Sequence, residues 1–221
     1  MVDFKNRHAD DRRAHGEIDG APEDYRFNAV KFCHKVFALT HASLTVEADE
    51  LYWIDADSIT FRPISHGFLD RLRPKGVYTS YLGRRARHSE CGFMAFDLRH
   101  PMNREFMEFW ASIYAEDQLF ELPEWHDSYV YDVVRRYCEE RGMIASYDLR
   151  AGMADDHHPF VNSPLGGYMD HLIGPRRKIS GCSYALDLRS PQDAFYWKVV
   201  PWAAEELLPL AAQAARNRAV K

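Results

Sequence analysis

The sequence predicts an α/β fold, a mixed sheet flanked by helices, and three observations carry that prediction. Short apolar runs of strand length alternate, through the middle of the chain, with stretches whose apolar residues recur at helical spacing. The run LYWI at residues 51–54 is continuously apolar, as a strand buried on both faces requires. It ends abruptly in Asp55-Ala56-Asp57, and in open α/β sheets ligands gather beyond the carboxyl ends of strands.

Residues 1–23 carry ten Asp, Glu, Lys and Arg residues and few large apolar ones, with no helix or strand period, which predicts a flexible arm. Asp24 is a suitable N-cap for a first helix, in which Val30, Cys33 and Phe37 share one face. The strand at 51–54 follows, then a short helix at 67–73 and a turn at Pro74-Lys75-Gly76. Strands are expected at 77–81 and 91–98, joined by a polar connection at 83–88. Pro101 suits the first position of a helix in which Phe106, Trp110, Ile113 and Tyr114 recur on one face. Asp127 is placed to cap a further helix with an apolar stripe of Val130, Val133, Val134, Tyr137 and Cys138. Residues 155–182 read as an ordered loop region, within which the aromatic residues, like Trp125, are assigned to core before ligand cleft. Residues 24–200 form the predicted domain. Residues 201–221 form a helical tail that Pro209 breaks or kinks.

The composition excludes several classes. Of 221 residues, 46% are hydrophobic and 28% charged, an ordinary balance for a chain with a packed core. Lys and Arg number 28 against 33 Asp and Glu, a net charge of −5, which argues against nucleic-acid binding through a basic surface. No apolar run reaches the ~18 residues of a transmembrane segment, and the first residues are too charged for a secretory signal. Cys33, Cys91, Cys138 and Cys182 form no CxxC pair and read as reduced, mostly buried thiols, so the expected localisation is cytoplasmic.

Two carboxylates one residue apart, directly after an apolar strand, are expensive unless paired, and a divalent cation converts their repulsion into coordination. The expected cofactor is Mn²⁺ or Mg²⁺. The plainer reading of Asp55 and Asp57 is that one caps a turn and the other is solvated. The segment HLIGPRRK adds an imidazole, a glycine and three cations within eight residues. His171 offers a third metal ligand and Gly174 a close backbone approach for phosphate. Arg176, Arg177 and Lys178 offer charge for a diphosphate, or else form a solvated basic turn. Lys31 and Lys35 share a helix face upstream of the strand, either presenting a cation to the same site or lying on the surface.

These residues, in this order, resemble nucleotide-sugar glycosyltransferases of the GT-A fold, a Rossmann-like architecture. The likeness is to the glycogenin and bacterial lipopolysaccharide galactosyltransferase group. KFCHKVFALTH followed by LYWIDAD matches that group's basic helix and DxD strand. Glu90-Cys91-Gly92-Phe93 resembles its glycine-containing acceptor-side strand, and Trp125-His126-Asp127-Ser128 its acidic helix start. Residues 171–178 follow its His-x-x-Gly-x-x-Lys segment, with Arg177 where lysine is expected and Lys178 one place later. The resemblance spans about residues 25–180, and the DxD and His-x-x-Gly segments are its specific parts.

The resemblance implies a metal-dependent glycosyltransferase. Its substrates would be a nucleotide-sugar donor, UDP-linked as is common in that group, and a glycan or other hydroxyl acceptor. It implies that Asp55 and Asp57 contact ribose and metal, with His171 completing the coordination. Lys35, Gly174, Arg177 and Lys178 would serve the diphosphate. Asp127 would lie near the transferred sugar and Glu90 at the acceptor side, as the catalytic carboxylates. The plainer readings are a helix N-cap for Asp127 and, for Glu90, a loop carboxylate paired with an arginine among residues 84–87. The 54 residues before Asp55 hold one predicted helix and no base-binding strand, which predicts an N-terminally incomplete member of that fold. An apolar sheet edge would then be open to self-association.

Two other readings compete. A haloacid dehalogenase-type phosphatase would use Asp55 as nucleophile and Asp57 as acid/base, with Asp155-Asp156 holding Mg²⁺, although Ile59 departs from its motif. A non-catalytic glycosyltransferase-like binding module would keep the metal residues without the reaction. A zinc site at Asp155-Asp156-His157-His158 is disfavoured, because neighbouring side chains rarely converge on one ion.

Overall fold

The computed structural model describes residues 1–84, 87–151, 158–174, 181 and 183. It is a mixed α/β structure of two compact units. The first comprises Met1–Leu51, Gly76–Thr79 and Phe96–Ser146, and the second Tyr52–Lys75, Ser80–Ala95 and the described residues from Tyr147 onward.

The first unit begins with α1 (Val2–Arg7), and this corrects the expected flexible arm. Phe4 is 1% exposed, lying parallel to Phe120 at 6.5 Å and edge-on to Tyr114 at 5.9 Å. Arg7 and His8 both reach Asp117, at 3.0 and 2.8 Å. Ala14 is fully buried, and its carbonyl accepts the Val30 N–H. A six-residue helix is too short to show a period, and one large apolar side chain per turn is enough where aromatic partners are waiting.

Asp24 caps a single 3₁₀ turn, Tyr25–Phe27, rather than the long helix. The cap of α2 (Ala29–Thr45) is Asn28, whose side chain accepts from the Lys31 N–H at 2.9 Å. Val30, Cys33, Val36 and Leu39 form the buried face of α2, and Phe37 lies beside it, half-buried. In α4 (Asn103–Ala115), the expected face of Phe106, Trp110, Ile113 and Tyr114 is buried, with Pro101 in the preceding turn rather than at the helix start. In α5 (Asp127–Glu140), Val130, Val134 and Cys138 are buried, while Tyr137 is 40% exposed. Tyr131 fills the stripe instead, donating to or accepting from Thr79 Oγ1 at 2.9 Å.

The strands β1 (Glu50–Ile54), β3 (Thr79–Leu82), β4 (Glu90–Asp97) and β5 (Ser146–Asp148) form one sheet in the order β1-β4-β3-β5. Backbone bonds Leu98 N–H to Asp49 O and Asp55 N–H to Gly92 O run β1 antiparallel to β4. Tyr78 N–H to Ala145 O and Leu149 N–H to Tyr81 O run β3 parallel to β5, so the sheet is mixed. The strand buried on both faces is β4, of which all but Asp97 is buried, and not β1 as the apolar run suggested. β1 is an edge strand of half-buried residues ending at exposed Ile54.

The second unit holds a core of Phe68, Leu72, Leu82, Phe93, Ala95, Leu149, Phe160, Leu165 and Met169. Two of these come from α3 (His66–Leu72), capped by Ser65. β2 (Ser58–Thr60) and β6 (Met169–His171) make a second, antiparallel sheet, with Ser58 opposite His171. Both strands went unread in the sequence because three residues show no alternation. Residues 160–167 are core, as expected, with Phe160, Val161 and Leu165 fully buried. The tail at 201–221, Cys182 and Asp155-Asp156 lie outside the described residues. Among the described residues, no helix is long and apolar enough to cross a membrane.

The three described cysteines are buried thiols, as the composition suggested. Burial pushes the Cys33 thiol up to about 11, and its S–H donates to the Val30 carbonyl. Since the thiolate is the reactive species, iodoacetamide at about pH 8 is expected to leave Cys33, Cys91 and Cys138 unmodified in the native chain. After denaturation all three should be labelled. Peptide mapping by mass spectrometry checks this, and rapid native labelling of Cys33 would contradict its packing.

Candidate metal centre

Four backbone hydrogen bonds fix the DxD segment in the second unit. Asp55 N–H donates to Gly92 O at 2.9 Å, and Ser58 N–H closes a turn onto Asp55 O at 3.0 Å. Leu172 N–H donates to Asp57 O at 2.9 Å, and Phe61 N–H to Tyr168 O at 3.0 Å, which clamps β2 to the chain around β6. The turn therefore leaves β1 and enters β2, and β6 carries His171 alongside it.

At the centre, His171 Nε2 lies 2.9 Å from Asp57 Oδ1 and 3.7 Å from Asp55 Oδ2. One donor atom from each of the three side chains falls within 4.8 Å of the others. The two carboxylates are a quarter to a third exposed, while the imidazole is buried. That leaves solvent access on the carboxylate side. The Trp53 indole N–H donates to Asp55 Oδ1 at 2.6 Å, which fixes that carboxylate with Oδ2 toward His171.

Glu90, the first residue of β4, lies on the other edge of the imidazole. Its Oε1 is 3.4 Å from His171 Nδ1 and accepts the Gly92 N–H at 3.0 Å. Its Oε2 is 3.5 Å from the Arg84 guanidinium, which is itself anchored on the His88 and Ser89 carbonyls. Burial alone would raise the Glu90 pKa, but the His171 ring and the Arg84 charge outweigh it and bring the carboxyl down to about 2. Burial likewise works against a charged His171, yet Glu90, Asp57 and Asp55 together raise its pKa above the ordinary histidine value.

Two further features frame the ring. Gly92 leaves the space the ring occupies, since a Cβ there would overlap the His171 Cε1 and Nδ1 positions. His158 accepts the Phe160 N–H through Nδ1, so its Nε2–H donates to the His171 carbonyl at 2.9 Å and holds the backbone of β6. Phe160 closes the face of the ring at 5.5 Å.

The predicted residues separate into groups. Asp55, Asp57, His171 and Glu90 converge in the second unit. The Arg84–Glu90 pair also matches the plainer reading of Glu90 as a carboxylate held by an arginine of the 83–88 connection. Gly174, three residues past His171, has φ +82°, a left-handed backbone that glycine adopts without strain. Arg176, Arg177 and Lys178 lie outside the described residues. Lys35 and Asp127 form a pair of their own in the first unit, Nζ to Oδ2 at 2.7 Å, with both side chains largely buried. Asp127 is not the N-cap of α5. His126 holds that position, and Asp127 is the first helical residue, where a carboxylate suits the helix dipole. Lys31 is exposed, as a surface lysine.

Gly92 stood in the sequence only as part of the strand that resembles the group's acceptor side, and Trp53 and His158 were not read as site residues. The glycine inside a strand pattern was a usable signal, since it marks a close approach. Nothing in the local sequence singles out the other two.

The donor set fits a divalent cation. Two carboxylates and one imidazole, with their donor atoms this close, could hold a divalent cation. Comparisons with protein-family models, curated proteins and solved structures find no match for this chain.

Proposed function

We propose that this chain is a metal-dependent glycosyltransferase of GT-A type, which holds the diphosphate of a nucleotide-sugar donor at Asp55, Asp57 and His171. The observation that carries the reading is the 2.9 Å approach of His171 to Asp57 across 114 residues of sequence. The two segments that resemble the glycosyltransferase group meet at one point, with donors suited to the metal that group uses. Asp57 and His171 are the ligands held most closely together, and Asp55, steadied by Trp53, is the third. A bound Mn²⁺ or Mg²⁺ supplies Lewis-acid stabilisation of the negative charge that builds on the departing nucleoside diphosphate.

The chain's own residues do the rest. Gly174 lets the backbone turn sharply after β6, and Arg177 and Lys178 add cationic charge for the diphosphate.

Titration calorimetry with Mn²⁺, and with UDP in its presence and absence, tests the reading. Wild type should bind Mn²⁺, and UDP only when Mn²⁺ is present. Asp57→Ala should weaken Mn²⁺ binding by more than about 100-fold, with a melting temperature close to wild type, since Asp57 lies in a partly exposed turn. UDP binding that ignores both the metal and the substitution would overturn the metal site.

A further inference from the structure

We propose that Glu90 is a positioning residue for the metal ligand His171: its carboxylate accepts the Nδ1–H and so aims the Nε2 lone pair at the cation held with Asp55 and Asp57. This rests on the metal-site reading above and replaces the acceptor-side role that the resemblance implies for Glu90.

Four observations carry it. Glu90 is 7% exposed, at the fixed first residue of a buried strand, so its position is set by the sheet. Its Oε1 is on the Nδ1 side of the imidazole, while Asp57 and Asp55 are on the Nε2 side. The same Oε1 accepts the Gly92 N–H, and Arg84 compensates Oε2, so the carboxylate stays charged and cannot swing away without losing both partners. Nδ1 is fully buried and makes no hydrogen bond among the described residues, and Glu90 Oε1 lies 3.4 Å from it. A histidine bonded through Nδ1–H to a carboxylate presents Nε2 unprotonated to a metal, and it is a stronger ligand for the negative charge behind it. A carboxylate facing an acceptor hydroxyl would instead need an open side, which Glu90 lacks.

Glu90→Leu and Glu90→Gln separate the possibilities. Both full-length variants are first checked for folding by circular dichroism, then titrated with Mn²⁺ by calorimetry. The bound Mn²⁺ is examined for the ¹⁴N spin-echo modulation of a coordinated imidazole. Glu90→Leu is expected to weaken Mn²⁺ binding about 10- to 100-fold, the usual effect of losing such a partner, and the Mn²⁺ that still binds should lose its ¹⁴N modulation. Glu90→Gln, whose amide oxygen can still accept the Nδ1–H, should recover most of the affinity and the modulation. Wild-type affinity in Glu90→Leu, or weakened binding with the modulation intact, would overturn the proposal, as would a glutamine variant no better than leucine. Absence of Mn²⁺ binding by wild type itself would instead bring down the metal site and this proposal with it.

Discussion

Replacing Gly92 with alanine is expected to abolish Mn²⁺ binding, lowering affinity by more than about 100-fold, and also to destabilise the chain by about 1–3 kcal/mol. The added Cβ would overlap the His171 ring and sit 2.9 Å from Glu90 Oε1. Neither obstacle is a free-swinging group. The ring is 4% exposed at its side chain, closed by Phe160 and bracketed by Asp57 and Glu90. Moving the backbone of residue 92 instead drags on Asp55, whose N–H is bonded to the Gly92 carbonyl. Whichever gives way, a ligand leaves its place. The contrast with Asp57→Ala makes the test specific, because that variant should lose the metal and keep its stability. Calorimetry with Mn²⁺ and thermal melting on both variants check this. A Gly92→Ala chain that binds Mn²⁺ like wild type would mean that the His171 ring does not lie against β4.

Much of the site was legible because its chemistry sits in short, fixed-spacing segments. Asp55 and Asp57 announce themselves by following an apolar run, and His171 by the glycine and cations behind it. What the sequence could not convey is depth. The apolar run suggested that β1 is buried on both faces, yet it lies at the sheet edge, and the two-faced burial belongs to β4. That matters for Glu90. The resemblance implies an acceptor-side carboxylate; at the head of a buried central strand, Glu90 is held between an imidazole and a guanidinium. The second sheet was missed for a related reason. β2 and β6 are three residues each, and their pairing depends on residues far apart in the chain that no local pattern connects. Lys35 and Asp127 show a different limit. The resemblance implies a diphosphate contact for Lys35 and a sugar contact for Asp127, whereas the opposite charges presented by α2 and α5 pair with one another at 2.7 Å.

The N-terminal segment was the largest misreading, and it yields the strongest stability prediction. Ten charged residues among the first 23 mask the buried Phe4 and Ala14, because composition averages over a segment whereas burial acts one side chain at a time. Phe4 is among the largest fully buried side chains of the described structure, with Phe37, Tyr114 and Phe120 around its ring. Truncation to alanine removes the ring's transfer free energy and leaves a cavity walled by rigid aromatics that cannot collapse into it. Phe4→Ala is therefore expected to cost about 3–5 kcal/mol. For a chain of this size that corresponds to a fall in melting temperature of about 10 °C. Val2→Ala, at a 63% exposed position on the same helix, should change stability by less than about 0.5 kcal/mol. Denaturant titration of the two variants beside wild type measures the difference. If Phe4→Ala were as neutral as Val2→Ala, α1 would contribute nothing to the first unit, and the segment would behave as the arm its composition suggests.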